Sequence, residues 1–342
     1  MTTIITQRAR WKPAFSLRRP VLMNLLLGLL WTTLARAEQP APLQNRLPLL
    51  TRVEQIRRLS PDKAARGYPV RLRAVVTYYG GQGWELFIQD STKGIYVNIG
   101  DAEFPIQAGQ RVEVEGISYP GLFAPEIRNP RFRVLGQAPL PKARRVSFEE
   151  LVTGIEDGQW MEVNGIVRSA TEEEGRLILD LAVGSGRIKA FTPNYRRTDL
   201  LRLVDAKVRV RSACGTSFNQ KGQLLGVELY VPSVAEILVQ EPALPDPFFT
   251  PLRPINTLLR FTPHGASNHR VRVQGVVTLQ REQHLFISDA TDSLYIQALQ
   301  TPALRPGDRI EALGFPAIGG YTPVWQDAVV RKTGFDKCLL HL

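Results

Sequence analysis

The sequence predicts an all-β chain made of three copies of one small five-stranded barrel, on two observations. A three-strand phrase occurs three times. Behind each copy come a fourth and a fifth strand, with no long helix between them. The first copy is GYPVRLRAVVTYYGGQGWELFIQDSTKGIYVNI, Gly67 to Ile99. In it Val70, Leu72, Ala74 and Val76 alternate with Arg71, Arg73, Val75 and Thr77, the period of a half-buried strand. Gly80-Gly81-Gln82-Gly83 turns the chain into Trp84 to Gln89, and a second turn, Asp90 to Gly94, leads to Ile95 to Ile99. The phrase returns at Met161 to Phe191 and at Val271 to Ala298.

The fourth strands are RVEVEG (Arg111 to Gly116), KVRVRS (Lys207 to Ser212) and RIEALG (Arg309 to Gly314). The fifth are RFRVLG (Arg131 to Gly136), QLLGVELYV (Gln223 to Val231) and VWQDAVVRK (Val324 to Lys332). Five short strands opening on a meander suit a Greek-key barrel of the OB type. A parallel α/β sheet needs crossover helices of about ten residues or more, which are absent. A short apolar helix precedes each barrel and is expected to plug its open end. Thr51 with Glu54, and Ser147 with Glu150, have the spacing of capping boxes, and Asn256 to Phe261 is a weaker version.

Composition bounds the rest. The formal charge of the 342 residues is +11, but residues 1–37 hold Arg8, Arg10, Lys12, Arg18, Arg19 and Arg36 and no acid. Those six account for part of the +11 and leave +5 on the remainder, a weak signal for nucleic acid. Residues 1–37 read as a secretory signal: a basic start, an apolar run from Val21 to Leu34, then Ala35-Arg36-Ala37 as cleavage site. The expected location is therefore the periplasm; an uncleaved signal would leave the chain anchored in the inner membrane. Proline clusters then set the divisions. Residues 38–49 are a linker, 50–137 the first barrel, 144–240 the second, 241–254 a second linker, 255–334 the third barrel and 335–342 a tail. Of the two cysteines, Cys214 reads as a small buried residue and Cys338 as a free thiol in the tail.

Several phrases together carry a resemblance: LTRVEQIRRLSPDKAARGYPVRLRAVVTYY, LFIQDSTKGIYVNI, AGQRVEVEG, EDGQWMEVNGIVRS, LLRLVDAKVRVRSACG, HRVRVQGVVTLQ and RPGDRIEALGFPAIGGYTPVWQDAVVRKTG. Over about residues 49 to 334 the chain resembles the extracytoplasmic front end of a group of bacterial sensor histidine kinases. In that group a signal sequence is followed by tandem OB-like domains, a further barrel, a membrane segment and a cytoplasmic kinase core. The resemblance implies a ligand-binding input region of a two-component system and names no ligand. It stops after Lys332, where only TGFDKCLLHL follows, with no histidine box or nucleotide-binding glycines. The expectation is a truncated or stand-alone relative without phosphotransfer machinery.

Candidate chemistry is sparse. His264, His269, His284 and His341 lack metal-ligand spacing and read as surface loop residues, so no metal and no cofactor is expected. Asp90, Asp180 and Asp289 fall at similar places in the three copies and read as organisers of the turn after the second strand. Phe87 and Phe286 lie inside apolar runs and are expected in the core. Tyr79, Trp84 and Tyr321 lie beside glycine-rich turns and are the candidate ligand contacts, since the face of strands two and three is the usual OB groove. Lys207, Arg209 and Arg211 form, with Arg196, Arg197 and Arg202, a basic strip expected to be a solvated face. No catalytic motif occurs, and no enzyme is expected. The partner is an unidentified small molecule, glycan or protein, and the alternative is an exported OB protein binding single-stranded nucleic acid or glycan. Mass spectrometry of the chain recovered from a periplasm should show a new N-terminus at Glu38. A retained Met1 would show an anchor instead.

Overall fold

The computed structural model describes residues 47–193, 195–196, 202–219, 221, 223–258, 269–317 and 324–335. The first barrel has β1 (Pro69–Tyr79), β2 (Leu86–Gln89), β3 (Gly94–Tyr96), β4 (Gln110–Tyr119) and β5 (Glu126–Gln137). The second repeat carries β6 (Arg144–Arg145), β7 (Trp160–Glu173), β8 (Arg176–Val183), β9 (Gly186–Thr192), β10 (Lys207–Phe218), β11 (Leu224–Tyr230) and β12 (Ile237–Glu241). The third has β13 (Val271–Arg281), β14 (His284–Ser288), β15 (Ser293–Gln300), β16 (Asp308–Ala317) and β17 (Val324–Phe335).

Each repeat pairs its strands in the same order. The first strand lies between the second and fourth, and the third and fifth run parallel where the sheet closes. Closure is complete in the third repeat. In the second the β7–β10 pairing makes it, and in the first a single parallel bridge from Val97 to Ile127. This is the OB-like Greek key that the strand pattern predicts. The second repeat departs from five strands: β6 adds to β7 and β12 to β10, so its sheet has seven. Both additions come from chain flanking the barrel, where short extended segments find a free edge.

Alternation builds each core. In β1, Val70, Leu72, Ala74 and Val76 point inward onto Leu86, Ile88, Ile95, Val112 and Val114. The second and third cores repeat this around Val163, Val167, Leu179 and Leu181, and around Val273, Val277, Leu285 and Ile287. Every first strand then loses the alternation at one place, a bulge at Thr77, Arg168 and Thr278. One extra residue turns the next side chain to the other face. Tyr78, Ser169 and Leu279 therefore stand on the outside, opposite Phe87, Asp180 and Phe286.

That register corrects the reading of the three aspartates. Asp90 and Asp289 do follow the second strand. Asp180 lies within β8, opposite Ser169, at the position of Phe87 and Phe286. The second repeat turns instead on Gly184 and Ser185, between Val183 and Gly186.

Asp90 does more than form its turn. Its Oδ1 accepts from the N–H groups of Thr92 and Lys93 and from the Thr92 hydroxyl. Its Oδ2 accepts the N–H of Val53 at 2.8 Å, and the Thr92 hydroxyl oxygen accepts that of Glu54. Thus the β2–β3 turn caps α1 (Val53–Arg57), whose Val53 and Ile56 fill the barrel end. The expected box of Thr51 and Glu54 is not used; Gln55 reaches back to the N–H groups of Thr51 and Arg52. Asp289 and Thr291 repeat the device on Ile255 and Asn256, at the 3-10 turn Ile255–Thr257.

The second repeat has no aspartate there, and its helix α2 (Phe148–Leu151) caps itself. Glu150 N–H donates to Ser147 Oγ, and Ser147 N–H donates to Glu150 Oε2 at 2.8 Å. The Phe148 ring lies over Gly186, where a Cβ would come within 1.9 Å of it. A side chain at this position would have to push that ring aside.

Burial alone would raise the Asp289 pKa, but the donors from Ile255, Thr291 and Asp292 outweigh it and hold the carboxyl below its ordinary value. A depressed carboxylate stabilises the fold above its unfolded pKa of about 4, and that contribution is lost as pH falls through the lower folded value. Asp90→Ala and Asp289→Ala should each cost about 1–2 kcal/mol of stability, the loss of a capped turn. Asp180→Ala should cost about 1 kcal/mol or less, as a partly exposed ion pair. Chemical denaturation of the three variants checks the contrast.

Candidate functional site

In an OB barrel the outer face of strands two and three is the usual ligand groove, and here the bulge brings one residue of the first strand onto that face. The three repeats put different residues on this face. Register places Tyr78, Phe87 and Tyr96 across the first barrel, Ser169, Asp180 and Lys189 across the second, and Leu279, Phe286 and Tyr295 across the third.

The first face is consumed by the second barrel. The Tyr230 ring lies 5.2 Å from both Tyr78 and Phe87 and 5.7 Å from Phe191, with Trp160 and Ala213 in the same buried cluster. Burial pushes the Tyr78 and Tyr230 hydroxyls far above the ordinary tyrosine range, and Tyr230 meets Glu228 at 2.7 Å. Backbones touch alongside. A Cβ on Gly94 would stand 1.9 Å from the Gly158 carbonyl oxygen, and Gln159 accepts the Gly94 N–H. Gln89 accepts the N–H of Trp160 at 2.7 Å, and Arg57 pairs with Asp157 at 2.8 Å.

The second face meets the third barrel through charge. Arg187 joins Asp180 at 2.7 Å to Asp327 at 3.0 Å, and Arg168 Nε approaches Asp327 at 3.4 Å. The Arg168 guanidinium lies 3.9 Å over the Phe315 ring. Asp205 accepts the N–H of Arg270 and approaches His269 at 3.2 Å, so His269 belongs to this contact rather than to a free loop.

The third face is open. Phe286 and Leu279 are 41% and 40% exposed, where Phe87 and Tyr78 at the matching positions are 2% and 0%. Tyr295 is 5.1 Å from Phe286 and stacks on His284 at 5.8 Å, its hydroxyl 2.6 Å from His284 Nδ1. His284, Phe286 and Tyr295 thus form a continuous ladder of rings on β14 and β15.

The sequence-predicted contacts fall elsewhere. Trp84 is half-buried at the first junction, with the Arg176 guanidinium of the second barrel 3.4 Å over its ring. Tyr79 faces inward beside Leu86, packs on the first core and accepts the N–H of Phe104 at 2.9 Å. Tyr321 lies outside the described residues, as do His264, His341, Arg197 and Cys338. Phe87 is buried as expected, in the cluster between the first two barrels, whereas Phe286, also expected in a core, stands in solvent. Leu86 and Ile88, and Leu285 and Ile287, take the inward positions of their barrels. That alternation was the signal for the ladder, in HLFIS and SLYIQA.

Two members of the basic strip are paired: Lys207 with Glu241 at 2.6 Å, and Arg211 with Glu162 at 3.3 Å and Glu236 at 3.9 Å. With Arg209, Lys142 and Trp160, that Arg211 cluster lines a cleft of about 580 Å³ between the second barrel and the segment Leu140 to Ala143 that precedes it. Cys214 is fully buried and its thiol pKa is pushed up, which keeps it from acting as a nucleophile. Among the described residues, no group of three or more His, Cys, Asp or Glu could hold a metal ion, and no helix is long and apolar enough to cross a membrane.

No family model matches the chain, and no curated protein matches it. Solved structures match it only at low identity and low TM-score. A putative aspartyl-tRNA synthetase from Leishmania major Friedlin is 15% identical with a TM-score of 0.26, over 33% of this chain and 24% of its own. A murine DNA binding protein bound with ds DNA is 15% identical with a TM-score of 0.23, over 52% of this chain and 97% of its own. The Ifi202 HINa domain in complex with 20bp dsDNA is 13% identical with a TM-score of 0.19, over 51% and 96%.

The Trp84–Arg176 pair is withdrawn from water at a junction, where a cation–π contact is worth about 1–2 kcal/mol. Trp84→Ala and Arg176→Ala should each lower the thermal midpoint. Their double-mutant cycle should show coupling of about that size. Additive effects would mean that the two side chains act independently.

Proposed function

We propose that this chain is a non-catalytic, exported recognition module. It presents the outer face of β13–β15 as its contact surface, as the input region of a sensor-type protein would. One observation carries the reading: the second barrel buries the equivalent face of the first, the third barrel is held beside that of the second by charge, and the third barrel keeps a ring ladder in solvent. Exposed aromatic surface of this kind is a contact feature rather than a stabilising one. The buried aromatic junction and the charged junction hold neighbouring barrels together, which suits a part that transmits contact and performs no chemistry. Export to the periplasm rests on residues 1–37, and the link to two-component signalling rests on the family resemblance.

The second reading is a groove for glycan or single-stranded nucleic acid, favoured by the stacking of His284 on Tyr295, since bases and sugar rings both lie flat on such rings. Chitin and cellulose oligosaccharides and a thymidine oligonucleotide should be titrated while the ring signals of Phe286 and Tyr295 are followed by NMR. The recognition reading expects weak oligonucleotide binding. A tight complex whose affinity falls by about 0.7 log units per phosphate contact for each tenfold rise in salt would move the chain to the second reading. An oligosaccharide or protein ligand should lose roughly tenfold or more in affinity in Phe286→Ala/Tyr295→Ala. Binding indifferent to that change would remove this face from the function.

A further inference from the structure

The two junctions inside the chain are the same junction made twice. In each, the outer face of strands one to three of one barrel, its head, receives one end of the next barrel, its tail. The tail is a cross-strand pair of the fourth and fifth strands with the start of the first. In the second barrel the pair is Ala213 opposite Tyr230, beside Trp160. In the third it is Phe315 opposite Gln326, beside Arg270. Tyr230 fills the head of the first barrel, while Phe315 and Gln326 meet Arg168 and Arg187 on the head of the second.

Two ends remain. The head of the third barrel is Leu279, Phe286 and Tyr295. The tail of the first is the matching pair Ile117 opposite Arg128, beside Pro69. Tyr119 extends this tail, with the Arg128 guanidinium 3.3 Å over its ring and held by Glu126 at 2.9 Å. Ile117, Tyr119 and Arg128 are all partly open to solvent.

We propose that the third-barrel head receives the first-barrel tail of a second copy of this chain, so that copies add head to tail. This rests on the reading of the β13–β15 face as a contact surface and names its occupant. Continuity with the internal junctions carries it. Both already use a head and a tail at these register positions, and both place an arginine flat on an aromatic ring, Arg176 on Trp84 and Arg168 on Phe315. Arg128 and Tyr119 offer the same chemistry to Phe286 and Tyr295, a cation and rings against rings. The surfaces are unlike, so the contact is heterologous and does not close on itself as a two-fold dimer does.

Analytical ultracentrifugation of the full chain over a broad concentration range tests this. The mean mass should rise past that of a dimer. Phe286→Glu should remove the head and Arg128→Glu the tail. Each variant alone should stay monomeric, with self-affinity reduced roughly tenfold or more. Mixed, they should form a one-to-one pair and nothing larger, because one intact head and one intact tail remain. Leu279→Lys serves as a second head variant should Phe286→Glu disturb folding, which circular dichroism reports. A wild-type chain monomeric at every concentration overturns the inference, as does a mass that stops at a dimer or a mixture that forms no pair. None of these removes the face as a ligand surface, which the titration of Phe286 and Tyr295 ring signals decides separately.

Discussion

Everything above the level of the single barrel depends on where one residue is inserted. The bulges at Thr77, Arg168 and Thr278 turn the following side chain outward and align it with the second and third strands. A bulge re-aims side chains locally without disturbing the core on either side of it. Because all three first strands carry it, all three barrels present a flat three-residue row. What fills the row then sets what the barrel does with it.

The three rows are three solutions to the same exposure. Tyr78, Phe87 and Tyr96 are apolar enough to require cover, and Tyr230, Trp160 and Phe191 supply it. Ser169, Asp180 and Lys189 are polar, and Asp180 holds the neighbour through Arg187, shared with Asp327. An aromatic junction persists at high salt, whereas a partly exposed charged one is screened. The first and second barrels are thus joined more firmly than the second and third. Leu279, Phe286 and Tyr295 are as apolar as the first row and meet no other barrel among the described residues, which makes them the surface with the most to gain from a partner.

The helix caps show the same economy. Asp90 and Asp289 organise a turn and cap a neighbouring helix with one carboxylate each. Where the second repeat keeps a glycine-serine turn, the capping function moves to Ser147 and Glu150, and Ser185 donates to Glu149. The helix end is satisfied in every repeat, because unpaired N–H groups at a buried helix start are costly. The means differ and the requirement does not.

Period-two alternation and the threefold phrase determined the all-β class, the strand order along the chain and most of the inward residues. These are local properties, set by the pleat and by turn residues. The capping box at Ser147 was legible for the same reason. The placement of Asp180 was not, because equal spacing along the chain does not reveal a longer hairpin, and only pairing with Ser169 shows it. Trp84 and Tyr79 looked like surface aromatics beside glycines. Whether a ring beside a turn meets solvent, its own core or another barrel depends on groups far away in sequence, here Arg176 and the Phe104 N–H. The outward direction of Phe286 was written in its neighbours Leu285 and Ile287. Its exposure was decided only by tertiary structure, since the same position in the first barrel is buried by a barrel more than a hundred residues further along.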